Sequence, residues 1–109
     1  MIINGTNVQM TRGDTESLTV SCVDLPFEAG DVVELTIRKA PNASDIYLHK
    51  TVTEFTADGK AEFVFEPSDT EDLAFGKYSY DVQATFVTIG VKTIIKPSLF
   101  KIGEECTYV

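Results

Sequence analysis

The sequence predicts an all-β domain: a two-sheet antiparallel β-sandwich of about seven strands with one short helical turn over residues 69–75, built as a single unit from residue 1 to 109. Three observations carry this reading. Apolar and polar side chains alternate with period two in one short stretch after another. Turn signals rich in Gly, Pro, Asn and Asp recur about every 8 to 12 residues. No segment keeps a helical period over three turns, and no alternation of strand and helix appears.

Taken in order, Val8 and Met10 alternate with Asn7 and Gln9 as a short first strand, and TRGD at 11–14 turns the chain. ESLTVSCV, 16–23, sets Leu18, Val20 and Cys22 against small hydroxyl residues. LPFEAGD, 25–31, is a loop. DVVELTIRKA places Val33, Leu35 and Ile37 on one face and Glu34, Thr36 and Arg38 on the other. After the turn APNASD, the run IYLHKTVTEF, 46–55, sets Ile46, Leu48 and Lys50 opposite Tyr47, His49 and Thr51; a lysine on the apolar face marks an edge strand. Asp58-Gly59 is a favoured hairpin turn, followed by Ala61, Phe63 and Phe65 pointing inward. Pro67, lacking an N–H, ends that ladder.

Ser68 and Glu71 have the spacing of a capping box, and Asp69, Glu71 and Asp72 suit the positive end of a short helix. Gly76 is placed to stop it, and Leu73 to anchor the turn to the core. The longest alternation follows, with Tyr78, Tyr80, Val82, Ala84 and Phe86 on one face. TIG, 88–90, turns the chain into a last strand whose Pro97 implies an edge or a bulge.

A short helical turn before the penultimate strand is a crossover between two sheets. A tyrosine just after it occupies the corner position of immunoglobulin-like sandwiches, where its hydroxyl bonds back to upstream backbone. Tyr78 is that candidate, and the sandwich is expected to be immunoglobulin-like. The chain departs from antibody domains in having no Trp. It also has Tyr80 where they carry a cysteine, so Cys22 reads as a small buried hydrophobe.

The totals narrow the function. The chain is 43% apolar and 24% charged, the composition of a folded protein able to bury one core. Its 9 Lys and Arg against 17 Asp and Glu give a formal charge of −8, which repels nucleic acid and anionic membranes. The N-terminus MIINGTNVQM has neither the basic nor the apolar region of a signal peptide. No apolar run approaches the roughly 20 residues of a membrane span. Cys22 and Cys106 form no C-x-x-C pair, and without an export signal two reduced thiols are expected over a disulfide.

No catalytic constellation stands out, and no cofactor or metal is expected. His49 is the only histidine, and neither G-x-S-x-G nor H-E-x-x-H occurs. Glu66, Asp69, Glu71 and Asp72 offer oxygens for Ca²⁺, but their spacing is not that of an EF-hand loop and helix capping accounts for them. Asn4-Gly5-Thr6 and Asn42-Ala43-Ser44 match the glycosylation pattern by chance in a chain without an export signal. Tyr47, His49 and Phe55 would offer an aromatic face on the edge strand, which keeps a carbohydrate- or cell-wall-binding module open as an alternative.

Two motifs together carry a resemblance: Arg12, Gly13, Asp14 and Thr15 before the first long strand, and D-T-x-x-L-x-x-G-x-Y-x-Y-D-V late in the chain. The second comprises Asp69, Thr70, Leu73, Gly76, Tyr78, Tyr80, Asp81 and Val82, and Thr93 and Ile94 fall in the last strand. The chain resembles the N-terminal immunoglobulin-like domain of the baseplate upper protein of phages and prophages of Gram-positive bacteria, and related small virion proteins. The resemblance implies a non-enzymatic structural protein of the tail or baseplate. Such a protein would be made in the bacterial cytoplasm, reside in the virion, be present in repeated copies, and contact itself and other virion proteins. Some relatives continue into trimeric receptor-holding regions. This chain stops at Val109, so an assembly module is expected rather than a receptor holder.

Overall fold

The computed structural model describes residues 1–103. Eight strands and one helical turn follow in the order β1 (Ile2–Asn4), β2 (Asn7–Thr11), β3 (Glu16–Val20), β4 (Val32–Arg38), β5 (Ile46–Val52), β6 (Ala61–Phe65), α1 (Pro67–Thr70), β7 (Gly76–Phe86) and β8 (Gly90–Gly103). They form a six-stranded sheet ordered β1-β2-β8-β7-β4-β5 and a two-stranded sheet of β3 and β6. All pairings are antiparallel except β2 with β8, which run parallel from Val8 opposite Phe100 to Thr11 opposite Gly103. The fold is all-β and sandwich-like.

Period two explains which side chains are inside. Val33, Leu35 and Ile37 of β4, Tyr80, Val82 and Ala84 of β7, and Val8, Met10, Phe100 and Ile102 line the inner face of the large sheet. Leu18, Val20, Ala61, Phe63 and Phe65 face them from the small sheet. The Phe65 and Phe100 rings meet across the gap with centroids 5.7 Å apart, and Tyr80 packs on Phe100 within the large sheet at 5.6 Å. Burying each such ring stabilises the fold by about 1.5–3 kcal/mol.

Two strands cannot cover six, and the loop between β3 and β4 closes one end. Its Phe27 is buried, stacked on Phe86 at 5.5 Å and tilted against Phe55 at 5.3 Å. The Phe27 N–H donates to Gly59 O at 3.0 Å. Buried Asp31 ties the same loop to the β7–β8 turn, its carboxylate accepting from Glu28 N and from Val87 N, each at 2.9 Å.

Several expectations are corrected. Asp58-Gly59 does not close a hairpin between β5 and β6: β5 pairs with β4, β6 pairs with β3, and the turn carries the chain from one sheet to the other. The helix is Pro67–Thr70 rather than 69–75, with Glu66 as its N-cap instead of Ser68. Proline suits the first helical position because its missing N–H would have no partner there. Asp69 then takes the reciprocal role assigned to Glu71, its Oδ2 accepting from Glu66 N at 2.8 Å. Ser68 is exposed, and Glu71 is the C-cap, donating its N–H to Pro67 O. Gly76 does not stop the helix; with φ +143° it opens β7 opposite Ile102.

The expected strand over 16–23 ends at Val20, leaving Cys22 half-buried just beyond it; Cys106 lies outside the described residues. β1, unanticipated, folds onto β2 through Gly5 and Thr6. Gly5, at φ +62°, is the only one of the two with positive φ, the pattern of a type II′ turn. Pro97 does sit in a bulge: Tyr80 faces Ser98 and Val82 faces Ile95, so β8 carries an extra residue there.

Candidate functional site

Several polar contacts converge on the corner where the chain crosses from β6 to β7. Thr70 ends α1 fully buried, and its Oγ1 accepts the N–H of Gly13 at 2.9 Å. Arg12 donates to Leu73 O at 3.3 Å and lays its guanidinium 4.0 Å over the Phe75 ring. Leu73 packs half-buried against the core. Tyr78, with its ring buried, donates its hydroxyl to Ala74 O at 2.7 Å. The expected corner bond is therefore present, running to backbone four residues upstream. The two sequence motifs, RGDT and the run from Asp69 to Val82, meet here as one hydrogen-bonded unit.

A second bridge spans the mouth of the sandwich. Lys50 points inward from edge strand β5 and meets Asp69 at 2.7 Å, with Phe65 5.8 Å beneath its ammonium. Burial works to raise the Asp69 carboxyl, but the Lys50 bond and the Glu66 N–H outweigh it and hold the group below its ordinary value. Tyr80 sits deeper. Its hydroxyl donates to Thr6 O at 2.5 Å, and burial pushes its phenol up to about 12. Tyr78 is raised too, first by burial and then by neighbouring Tyr47.

The aromatic face expected on β5 does not form. Between Ile37 and Arg38 the register with β5 slips, Ile37 facing Leu48 and Arg38 facing Ile46, which leaves Tyr47 as the extra residue. Its ring, still exposed, meets Tyr78 edge-on at 5.4 Å, while Phe55 packs on Phe27, so the three rings do not share one face. His49 stays on the outer face, its Nε2 3.7 Å from Glu34 Oε1. Among the described residues no hydroxyl or thiol is hydrogen-bonded to His49, and no group of three or more His, Cys, Asp or Glu is placed to hold a metal ion. The acids weighed for Ca²⁺ are divided, Asp69 being taken by Lys50.

Three surface features remain. The β7–β8 turn presents Val87, Ile89 and Val91 at 71%, 58% and 68% exposure, a concentrated apolar tip. The first half of β8 has β7 on one side and, among the described residues, no strand on the other, since β2 joins only at Phe100. Lys92, Lys96 and Pro97 guard this open edge. On the outer face of the large sheet, a depression of about 530 Å³ is lined by Thr6, Lys39, Pro41, Lys77 and Ser98. Sequence reasoning missed this last feature, because it depends on the register between β7 and β8.

A scan against protein-family models and searches of curated proteins and solved structures found no match to the chain. The fold and the corner thus define a class, an all-β sandwich-like domain with a stitched crossover corner.

Proposed function

We propose that the chain is a non-enzymatic structural protein of a phage or prophage virion, a tail- or baseplate-type assembly module acting through protein–protein contacts. The observation that carries the reading is the corner: Gly13 bonds Thr70, and Arg12 reaches Leu73 and Phe75, so that both motifs of the resemblance belong to one structural unit. The strand pairing supports an immunoglobulin-like form of the sandwich. β3 and β6 lie together in one sheet as strands B and E do, β4, β7 and β8 are neighbours in the other as C, F and G are, and Tyr78 occupies the tyrosine corner. The apolar tip at Val87, Ile89 and Val91 supplies the kind of surface that contacts between proteins cover.

The test is co-expression with the structural genes that neighbour its own, followed by sedimentation of the assembled particles. The chain is expected in the particle fraction in several copies, and V87S/I89S/V91S should reduce its incorporation. A chain that stays wholly in the supernatant while particles form without it overturns the reading.

A further inference from the structure

In antiparallel β7 and β8, Lys77 lies directly opposite Lys101 on the outer face of the large sheet. Like charges in that relation destabilise a sheet, and both side chains are exposed. Two further cations border them. Arg38 is engaged by Ala43 O at 3.1 Å, and Lys39 lies 5.3 Å over the Tyr78 ring. Lys77 and Lys101 have no ion pair among the described residues. The outward carboxylates of the same sheet, Asp81 and Glu34, stand further along the strands, beyond Ser79. A chain of net charge −8 thus sets two cations side by side on one face, with two more close by.

The opposite imbalance lies elsewhere. From residue 61 to 76 the chain carries five acids and no Lys or Arg. Asp69 is neutralised by Lys50, while Glu62, Glu66, Glu71 and Asp72 are exposed and have no ion pair among the described residues. None of these four meets Lys77 or Lys101 within one copy of the chain. Among the described residues, the two patches are therefore complementary in charge and unsatisfied separately.

We infer that the Lys77–Lys101 face of one copy docks on the Glu71–Asp72 patch of a second copy. This rests on the reading of the chain as an assembly module and names the partner and the contact. Complementary charge sets which surfaces meet and how fast, and it makes the contact sensitive to salt. The depression beside Lys77 gives the incoming carboxylates room.

The experiment is sedimentation velocity of the full chain at low and high ionic strength, with two double variants, K77E/K101E and E71K/D72K. All four positions are exposed, so circular dichroism should show both variants folded. Wild-type self-association should weaken as salt rises. Each variant alone should associate at least roughly tenfold more weakly, and an equal mixture of the two should recover the loss because the reversed patches match again. Association that ignores salt, or variants that behave as wild type, or a mixture that fails to recover, would each overturn the contact and leave the assembly reading standing. A wild-type chain that is monomeric throughout yet retained by an anionic polymer through Lys77 and Lys101 would overturn it in favour of a polyanionic partner. Particle incorporation tests the broader reading separately.

Discussion

The backbone N–H of Gly13 donates to Oγ1 of Thr70 at 2.9 Å, joining two residues 57 positions apart in the chain. Thr70 is fully buried, so water cannot replace its hydroxyl. Thr70→Val keeps the volume and removes the acceptor, leaving the Gly13 N–H without a partner. It should cost about 1–3 kcal/mol. At this chain length that lowers Tm by about 4–8 °C for each kcal/mol. Thermal unfolding followed by circular dichroism checks it, and a valine variant as stable as wild type would remove the corner from any account of the fold.

Tyr80 predicts an alkaline limit. Its native pKa of about 12 lies above the value near 10 of an unfolded tyrosine. The native state therefore holds this proton more tightly, and the resulting stability is complete below about pH 10 and lost as pH rises through about 12. Tyr80→Phe gives up the bond to Thr6 O, at a cost of about 0.5–1.5 kcal/mol at neutral pH. The gap between the two proteins in urea unfolding should close as pH climbs through this window. A gap of constant size would contradict the assignment.

Asp69 predicts an acid limit of opposite sign. Its native pKa is depressed, so its contribution is present at neutral pH and disappears as pH falls through that lowered value, below the ordinary carboxylate range. Lys50→Met should cost about 1–2 kcal/mol at neutral pH, between an exposed pair and a fully buried one. The difference from wild type should shrink in acid. Equal losses at both ends of the titration would show that Lys50 acts through packing alone.

Two glycines separate conformational strain from collision. Gly59 has φ +75°, and a Cβ there would collide with Pro26 Cβ. Gly5 has φ +62° with nothing within 4 Å. Gly5→Ala should cost about 1–2 kcal/mol for the backbone conformation only. Gly59→Ala should cost clearly more, because it also pushes the Phe27 loop off its seat. Denaturant midpoints of the two variants give the comparison, and equal costs would mean that the loop yields freely.

Local pattern made the interior of the strands legible. Ala61, Phe63 and Phe65, and the run from Tyr78 to Phe86, were assigned to the core by alternation and are buried. Pairing was less legible, because a strand's own residues do not name its neighbour. Asp58-Gly59 is sound hairpin chemistry, yet β5 and β6 belong to different sheets. The helix start was misplaced by two residues because Ser68 outranks Glu66 as a cap in isolation, while Pro67 decides the first helical position in context. Lys50 read as a guard on an edge, and its bond to Asp69 depends on where α1 lands. The juxtaposition of Lys77 with Lys101 follows from inter-strand register, which neither lysine's neighbours encode.

The parallel pairing of β2 with Phe100–Gly103 has a consequence for biosynthesis. A nascent chain makes Val8 and Met10 some ninety residues before the strand that covers them. The hairpin of β1 and β2 must wait without its permanent neighbour until Phe100–Gly103 has been made and has emerged. Closure of the large sheet is then a late, long-range event, and such loop-closing steps are slow.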